Sequence, residues 1–466
     1  MYILFYNHKF EGILIKLNNK NKKITLAGIF VVQTALFASQ QSHFSGAMSS
    51  SCVLAKETLN NAFSYKTEKI FINSKEEKEM VDFLQDIKKK ERFNEEDREK
   101  FFKAIEDVGK ILDEEETMLN MALKSGEEVL VIGDIHANVA ALEDVFKNFL
   151  KKRNEGKNVK IVFLGDYGDR GFQGPDNRLN TVKTWWTILE LKKRFPDNFF
   201  TIRGNHETSD ISGAYGGLDS FEAMFDRDAV SDVERIFYEK IVKGFFEKLH
   251  PCGEITLPNG EKTFFAHGCI PVNCKDSKRM LEELKKSKDK SLPFSVDFSL
   301  KYFGGNLNDK QKIMYGMNTI GNQLFWNDFS EESLEDAPNY KRSANGDFFV
   351  VGRRSISDFC KENNYNRIIS AHNHSVSDGQ KTFKFKNGED APRTVDYTIT
   401  MCSPNMNYNR NAGHILIIDS DNNLHDTKVK YDLFWKDFKG RCFDPNEKQI
   451  YYQWIKTEYI NKIKKY

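Results

Sequence analysis

Five short polar clusters each follow an apolar run, and their side chains are of the types that bind metal ions or phosphate. They are GDIHAN from Gly133, GDYGDRG from Gly165, RGNHE from Arg203, AHG from Ala266 and SAHNH from Ser370. Oxygens of Asp and Asn and nitrogens of His suit a pair of borderline cations such as Mn, Fe or Zn. Taken singly, these residues have simpler structural explanations: an Asp–Arg ion pair that caps a turn, or a histidine buried in the core. The five clusters together predict a two-metal site.

Two metal ions and an arginine would suit the hydrolysis of a phosphate ester. Uncatalysed hydrolysis of phosphate monoesters is so slow that enzymes accelerate it by up to about 10²¹-fold. Two cations about 3.5–4 Å apart can hold a hydroxide and clamp the phosphoryl oxygens for in-line attack. The planar guanidinium of Arg170 offers paired donors to such oxygens. We therefore predict a phosphoesterase.

Buried strands must position these clusters. The runs VLVIGDIH, KIVFLGDYGDRG, NFFTIRGNHE, TFFAHG and RIISAHNH each join an apolar stretch to its cluster. Strands that alternate with helical segments predict an α/β fold, in which ligands bind beyond the carboxyl ends of the strands. We assign residues 124–430 to this catalytic domain.

The segments on either side of the catalytic domain have different compositions. MVDFLQDIKKK and REKFFKAIEDVGKIL carry apolar residues at helical spacing, which predicts two or three amphipathic helices within an extension over residues 51–123. Residues 431–466 form a tail rich in Lys and aromatic residues. We expect both segments to pack against the catalytic core.

The amino terminus resembles a targeting segment. Lys20, Lys22 and Lys23 precede an apolar run over 24–38, which small and polar residues follow. This order is typical of a signal peptide, so residues 1–50 are assigned to a possible signal peptide and a polar linker. The run is shorter than the roughly 20 residues of a membrane helix, and no stable membrane span is expected. The localisation stays open: secreted if residues 20–38 act as a signal, and cytoplasmic if they form a buried helix or follow a misassigned start.

Composition argues against several other classes of protein. Hydrophobic residues make up 39% of the 466 residues and charged residues 29%, as in an ordinary globular protein. Lys and Arg number 69 against 68 Asp and Glu, so charge gives no reason to expect a nucleic-acid partner. The seven cysteines are scattered without a CxxC pair, which indicates neither a disulfide framework nor a zinc ribbon.

The order of the motifs resembles that of the eukaryotic-type serine/threonine phosphoprotein phosphatase family, within the calcineurin-like metallophosphoesterases. QLFWNDF and SPNMNYNRNAG are similar to two further segments of that family, and the likeness spans about residues 115–425. The resemblance implies a four-layer sandwich of two mixed β-sheets flanked by helices. It also implies a hydroxide, activated by two metals, that attacks phosphoserine or phosphothreonine. The metals expected are Mn first, with Fe or Zn as alternatives, and the partners are phosphorylated proteins and a possible regulatory protein.

The resemblance implies a metal-ligand set. The first metal would be held by Asp134, His136 and Asp166. The second metal would be held by Asp166, Asn205, His267 and His372. His374 follows His372 by two residues, which is similar to the His-x-His of other metallophosphoesterases. We predict that His374 adds a ligand to the first metal, with a solvent-facing ring as the alternative.

The resemblance also implies roles in catalysis and substrate binding. His206 would be the general acid that protonates the departing seryl or threonyl oxygen. Asp169 would hydrogen-bond that imidazole, fix its tautomer and keep it cationic. Arg170 and Asn205 would grip the phosphate, and Tyr215 would lie near the substrate groove.

Several positions depart from the family pattern. Ala137 and Cys269 stand where the family has glycines, Gly168 where it has valine, and Met406 where it has a loop tyrosine for which Tyr408 is a nearby substitute. The family's second phosphate-gripping arginine has no match in KIMYGMNTIGNQLFW. The candidates for its replacement are Arg342, Arg353 and Arg354.

Two other functions fit part of the pattern. A nucleotide phosphoesterase of the dinucleoside tetraphosphatase type shares the GDxH, GDxxDRG and GNH blocks, but Glu207, QLFWNDF and the SPN loop favour the protein phosphatase. A non-catalytic binding protein built on a decayed phosphatase would have lost ligands, whereas this chain carries all of them and the acid.

Overall fold

A computed structural model describes ten ranges of the chain. They are residues 2–7, 10–16, 74–170, 179–225, 232–303, 319–344, 346–374, 380–386, 394–402 and 413–429. The chain divides into two compact units, Met1–Lys69 and Ile70–Tyr466. The apolar leader run, the SPNMNYNR segment with Met406 and Tyr408, and the tail over 431–466 lie outside the described residues. In the first unit, β1 (Tyr2–Asn7) and β2 (Phe10–Lys16) pair as an antiparallel hairpin.

The second unit begins with two helices, α1 (Lys75–Lys89) and α2 (Glu95–Glu114). Each starts at a capping box, Ser74 with Glu77 and Asn94 with Asp97, which satisfies backbone N–H groups that have no partner within the helix. Apolar residues three and four apart are buried on one face of each helix: Met80, Leu84 and Ile87 in α1, and Phe101, Ile105, Val108 and Leu112 in α2. Both helices lie where the sequence predicts amphipathic helices.

The first of two large sheets has five strands. Its members are β4 (Glu127–Ile132), β5 (Asn158–Phe163), β6 (Phe199–Thr201), β15 (Gly413–Asp419) and β16 (Leu424–Val429), in the order β16-β15-β4-β5-β6. Strands β4, β5 and β6 are parallel, whereas β15 pairs antiparallel with β4 and with β16. The parallel strands direct their carboxyl ends to one edge.

The second large sheet has six strands and is also mixed. Its members are β3 (Leu119–Ala122), β7 (Cys252–Thr256), β8 (Lys262–Ala266), β12 (Arg367–Ser370), β13 (Gln380–Phe385) and β14 (Val395–Thr400), in the order β13-β14-β12-β8-β7-β3. Strands β8, β12 and β14 run parallel. A small sheet of β9 (Asp328–Phe329), β10 (Ala337–Pro338) and β11 (Phe349–Val351) accompanies them.

Three apolar clusters separate four layers. One lies between the large sheets and joins Val129, Val131, Leu416 and Ile418 of the first to Ile255, Phe265 and Ile369 of the second. Another packs α1, α2, α3 (Val139–Asn154) and α4 (Asn180–Arg194) on the outer face of the first sheet. A third packs α8 (Ser277–Lys286), α9 (Val296–Phe303), α10 (Ile320–Trp326) and α11 (Arg353–Asn363) on the second sheet. The predicted α/β sandwich is therefore confirmed.

Short helices connect these layers. They are α5 (Ser209–Ala214), α6 (Gly217–Glu222), α7 (Val233–Ile236), a π-helix (Phe237–Val242) and two 3₁₀ turns (Phe246–Lys248 and Leu292–Phe294). Among the helices in the described ranges, none is long and apolar enough to cross a bilayer.

Candidate metal centre

The predicted ligands lie at the carboxyl ends of five strands. Asp134 and His136 follow β4, Asp166 follows β5 and Asn205 follows β6, all in the first sheet. His267 follows β8 and His372 follows β12 in the second sheet. Because the two sheets pack face to face, residues 238 positions apart come into contact: the His372 amide donates to Asp134 Oδ1 at 3.1 Å.

The first metal-binding group consists of Asp134, His136 and His374. Their candidate ligand atoms lie within 4.8 Å of one another, and all three residues are buried. The Asp134 Oδ2 atom is 3.5 Å from His136 Nε2 and 3.8 Å from His374 Nε2. Asp166 Oδ2 lies 3.6 Å from His136 Nε2 and so borders the same space. His374 thus groups with Asp134 and His136, and its role as a ligand of the first metal stays a prediction.

The second group consists of Asp166, His267 and His372, again with candidate ligand atoms within 4.8 Å of one another. His267 Nδ1 donates to the Leu164 carbonyl at 2.8 Å, so its Nε2 atom is the ring nitrogen that faces the group. Nε2 lies 2.9 Å from Asn205 Oδ1 and 3.3 Å from Asp166 Oδ1. A proton on Nε2 or a bound cation satisfies these buried oxygens.

Further polar atoms of both groups are unsatisfied. Within the described part of the chain, Asp134 Oδ2, Asp166 Oδ2 and His372 Nε2 are buried and make no hydrogen bond. Buried polar atoms without a partner are costly, and a bound ion is one explanation for them. The donor set of carboxylate oxygen, amide oxygen and imidazole nitrogen therefore fits two divalent cations.

The positively charged Arg170 guanidinium lies at the edge of the first group. It donates to the Nε2 atoms of His136, His374 and His206 at 3.2, 3.1 and 2.8 Å. Three imidazole lone pairs therefore converge on one positive charge. The Tyr215 ring lies beneath the guanidinium, 5.2 Å from its carbon, and the Tyr215 carbonyl accepts from the Arg170 amide at 3.0 Å.

His206 and Asp169 form a buried pair beside the metal groups. His206 Nδ1 donates to Asp169 Oδ2 at 2.6 Å, which leaves Nε2 to face the centre of the site. The tautomer and the cationic state that we expect for His206 stay predictions. Burial and then the nearby Arg170 charge hold the pKa of His206 well below its usual value, whereas burial raises the pKa of Asp169 to about 8.

The replacement arginine that sequence reasoning left open is at the site. Arg342 donates from Nε and Nη2 to the Asp328 carboxylate at 2.8 and 3.0 Å, and from Nη2 to the His372 carbonyl at 3.3 Å. Arg354 instead pairs with Glu335 at the surface, and Arg353 opens α11. The signal for Arg342 is the aspartate of QLFWNDF, since a half-buried carboxylate such as Asp328 favours a cationic partner.

Glu207 holds two of the strand-end loops together. Its carboxylate accepts from the backbone N–H groups of Asp166, Tyr167 and Gly204 at 2.8, 2.9 and 2.9 Å. Burial, followed by the nearby Asp166 charge, raises the pKa of Glu207 to about 7. Because three amides bind one side chain, the loops after β5 and β6 keep a fixed spacing.

The departures from the family pattern have local explanations. Ala137 has a φ of 59°, which explains why glycine suits this position. A Cβ atom on Gly168 would lie 2.5 Å from the Trp185 indole nitrogen, so this buried tryptophan excludes the usual valine. Cys269 is buried in the core of the second sheet, and burial raises the pKa of its thiol to about 12.

The chain is similar to known phosphoesterases and phosphatases. Residues 128–376 match the family model described as calcineurin-like phosphoesterase. The chain is 25% identical over 282 residues to the serine/threonine-protein phosphatase 4 catalytic subunit of Saccharomyces cerevisiae, covering 55% of this chain and 70% of that protein. A solved Saccharomyces cerevisiae protein serine/threonine phosphatase, described as similar to human phosphatase PP5, aligns with a TM-score of 0.49 and 18% identity, over 72% of this chain and 90% of that one. The family match and the two His/Asp groups support a dinuclear divalent metal site.

Proposed function

Because this chain belongs to the calcineurin-like phosphoesterase family, we propose that it is a metal-dependent serine/threonine protein phosphatase. The observation that carries the proposal is the pair of buried groups, Asp134 with His136 and His374 and Asp166 with His267 and His372. Arg170 lies at the edge of the first group, and the pair His206 and Asp169 lies beside it. The matching yeast protein, a serine/threonine-protein phosphatase 4 catalytic subunit, is covered over 70% of its own length. This match supports protein substrates in preference to nucleotides.

The proposed ligands fall into two sets that share the Asp166 carboxylate. The first set is Asp134, His136, Asp166 and His374. The second set is Asp166, Asn205, His267 and His372. When bound, two such cations lower the pKa of water and polarise phosphoryl oxygens. We propose Mn²⁺ as the metal, because mixed oxygen and nitrogen ligands suit it, although Fe and Zn suit the same atoms.

The substrate phosphate would be held by two arginines. Arg170 comes from the loop after β5, and Arg342 comes from the turn between β10 and β11 and donates to the His372 carbonyl. Each guanidinium offers a planar fork of donors to phosphate oxygens. The Asn205 side-chain amide and the Tyr215 ring border the same space. A phosphate dianion would attract Arg170 away from the three imidazoles, of His136, His206 and His374, that it contacts in this structure.

His206 would donate the proton that the departing oxygen needs. A seryl or threonyl alkoxide leaves poorly without protonation, and a positioned acid typically contributes about 10²–10⁴-fold. Asp169 fixes the ring through Nδ1, so that Nε2 faces the reacting group. The chain's own residues therefore bind the phosphate, orient it and supply a proton to the leaving group.

A direct comparison of substrates tests the proposal. The purified chain, loaded with Mn²⁺, is given a phosphothreonine peptide and diadenosine tetraphosphate in parallel, and kcat/KM is measured for each. We expect the peptide to be preferred. A preference for the dinucleotide would replace the proposal with a nucleotide phosphoesterase, and two bound metals without turnover of either substrate would indicate a binding protein.

A further inference from the structure

Two carboxylates at the carboxyl end of helix α2, Asp113 and Glu115, contact the segment over residues 248–250. Asp113 pairs with Lys248 Nζ at 2.6 Å, and this pair is partly exposed, with 55% of the Asp113 side chain accessible. Glu115 Oε2 lies 2.9 Å from His250 Nε2, and His250 is only 1% exposed. The same two segments are therefore joined by one surface contact and by one contact in which His250 is buried and the Glu115 side chain is 25% exposed.

The contact between Glu115 and His250 is held from several sides. Glu115 Oε1 accepts from Lys192 Nζ at 2.5 Å, and that lysine side chain on α4 is fully buried. The Glu115 carbonyl accepts from Lys290 Nζ at 2.5 Å. His250 Nδ1 donates to the Glu116 carbonyl at 3.0 Å, so both nitrogens of the ring contact the residues that follow α2.

His250 in turn contacts the end of β6, which leads into the loop over residues 203–207; this loop, called the catalytic loop below, carries Asn205 and His206. Its carbonyl accepts from the Arg203 amide at 2.7 Å, and its own amide donates to the Thr201 carbonyl at 3.3 Å. Residues 202 and 250 form an isolated parallel bridge. The backbone of residue 250 is thus the extra partner that extends β6 into the loop.

Arg203 connects this bridge to the loop that carries Asn205 and His206. Its Nε atom donates to the Glu207 carbonyl at 3.0 Å, and its guanidinium lies 4.9 Å from the centre of the Phe294 ring. The loop between Arg203 and Glu207 carries Asn205 and His206. A continuous series of contacts therefore runs from Glu115 through His250 to this loop.

We propose that Glu115 is a positioning residue for the catalytic loop, acting through His250. The proposal rests on the phosphatase function given above, because Asn205 and His206 have roles only in that reaction. It assigns the helical extension a part in catalysis as well as in stability. Loss of the Glu115 contact lets the His250 backbone shift, and the 203–207 loop shifts with it.

The test uses two variants of the full chain and a matched control. Glu115→Ala removes both contacts of the carboxylate, and Glu115→Gln keeps its shape without its charge. Asp113→Ala removes the surface ion pair of the same helix end. Steady-state kinetics on a phosphothreonine peptide and hydrogen exchange of the peptide that spans residues 201–207 are measured for each protein.

We expect Glu115→Ala to lower kcat by about 10- to 100-fold, since a displacement of about 1 Å at a catalytic group can cost about 10²-fold. KM should change less than kcat, because Arg170 and Arg342 lie on other segments and only Asn205 among the proposed phosphate-binding residues lies in the loop. Exchange over 201–207 should accelerate in Glu115→Ala and stay unchanged in Asp113→Ala. Glu115→Gln should lie between wild type and Glu115→Ala in both measurements.

Unchanged exchange over 201–207 in the Glu115 variants would overturn the proposal, whatever the activity. Faster exchange with unaltered kcat would overturn it as well, since the contact would then be structural only. If Glu115→Ala does not fold, the same two readouts on Glu115→Gln decide. An unaltered chain that hydrolyses no phosphopeptide would refute the phosphatase function, and exchange would still report whether Glu115 holds the loop.

Discussion

The helix pair α1–α2 follows ordinary backbone preferences, whereas the strand-end loops contain residues in unusual backbone conformations. The helices start at complete capping boxes and bury one apolar face, so each local preference agrees with the structure. The loops hold six non-glycine residues at positive φ, between 45° and 59°: His136, Ala137, Asp166, Asp169, Arg170 and His372. They also hold buried polar atoms without hydrogen bonds in the described chain, among them Asp134 Oδ2 and Asp166 Oδ2.

The difference shows where this protein places strain. A residue held in a sparsely populated backbone region costs about 1–3 kcal/mol and persists only where its surroundings determine it. Here the surroundings are the packed sheets and the Glu207 carboxylate, which binds three loop amides. Substitutions in the loops should therefore change chemistry, whereas substitutions in the helix pair should change stability.

The largest effect is expected from Asp134→Asn. Its carboxylate borders both imidazoles of the first metal group, so loss of its charge weakens cation binding. Metal analysis should give fewer than two equivalents, and activity should fall by more than the roughly 10⁴-fold upper range for a general acid. Two full equivalents in this variant would contradict the ligand assignment.

A smaller loss of activity is expected from His206→Ala. We predict a fall in kcat of about 10²–10⁴-fold on a phosphothreonine peptide, with two metals still bound, because His206 supplies a proton and no metal contact. Hydrolysis of 4-nitrophenyl phosphate should fall less, since nitrophenolate leaves without protonation. Equal losses on the two substrates would remove the general-acid role.

Phe101→Ala moves the test to the helix pair. Phe101 is fully buried in α2, 5.9 Å from the Trp186 ring, and truncation of such a side chain costs about 3–5 kcal/mol in the free energy of unfolding. Denaturant unfolding should show this loss while kcat of the folded protein stays within about twofold of wild type. Glu106→Ala, an exposed α2 residue paired with Lys240, should cost less than about 1 kcal/mol.

The smallest effect concerns strain in a loop. Ala137→Gly should raise the free energy of unfolding by about 1 kcal/mol or less, because the left-handed cost of about 1–2 kcal/mol is partly offset by the greater freedom of glycine in the unfolded chain. Gly126→Ala is the control: its φ is 82°, nothing lies within 4 Å of an added Cβ, and it should destabilise. Destabilisation by Ala137→Gly would show that the loop is not strained there.

Much of the site was predictable because each ligand directly follows an apolar strand. Asp134, Asp166 and His267 are marked in the sequence by the run that precedes them, and the sheets then bring those strand ends together. The capped helices α1 and α2 were predictable for a similar reason, since spacing and capping are local properties. His374 Nε2 lies 3.8 Å from Asp134 Oδ2, and its role as a ligand stays a prediction.

Other features depend on contacts between distant segments. Arg342 contacts the carbonyl of His372, 30 residues along the chain, and Trp185 of α4 excludes a side chain at Gly168. The lowered pKa of His206 comes from burial and from Arg170, which no local pattern encodes. The sequence by itself determined the ligand types and the strands that carry them, whereas tertiary packing decided which atoms meet, because hydrogen bonds and charges depend on distances in space.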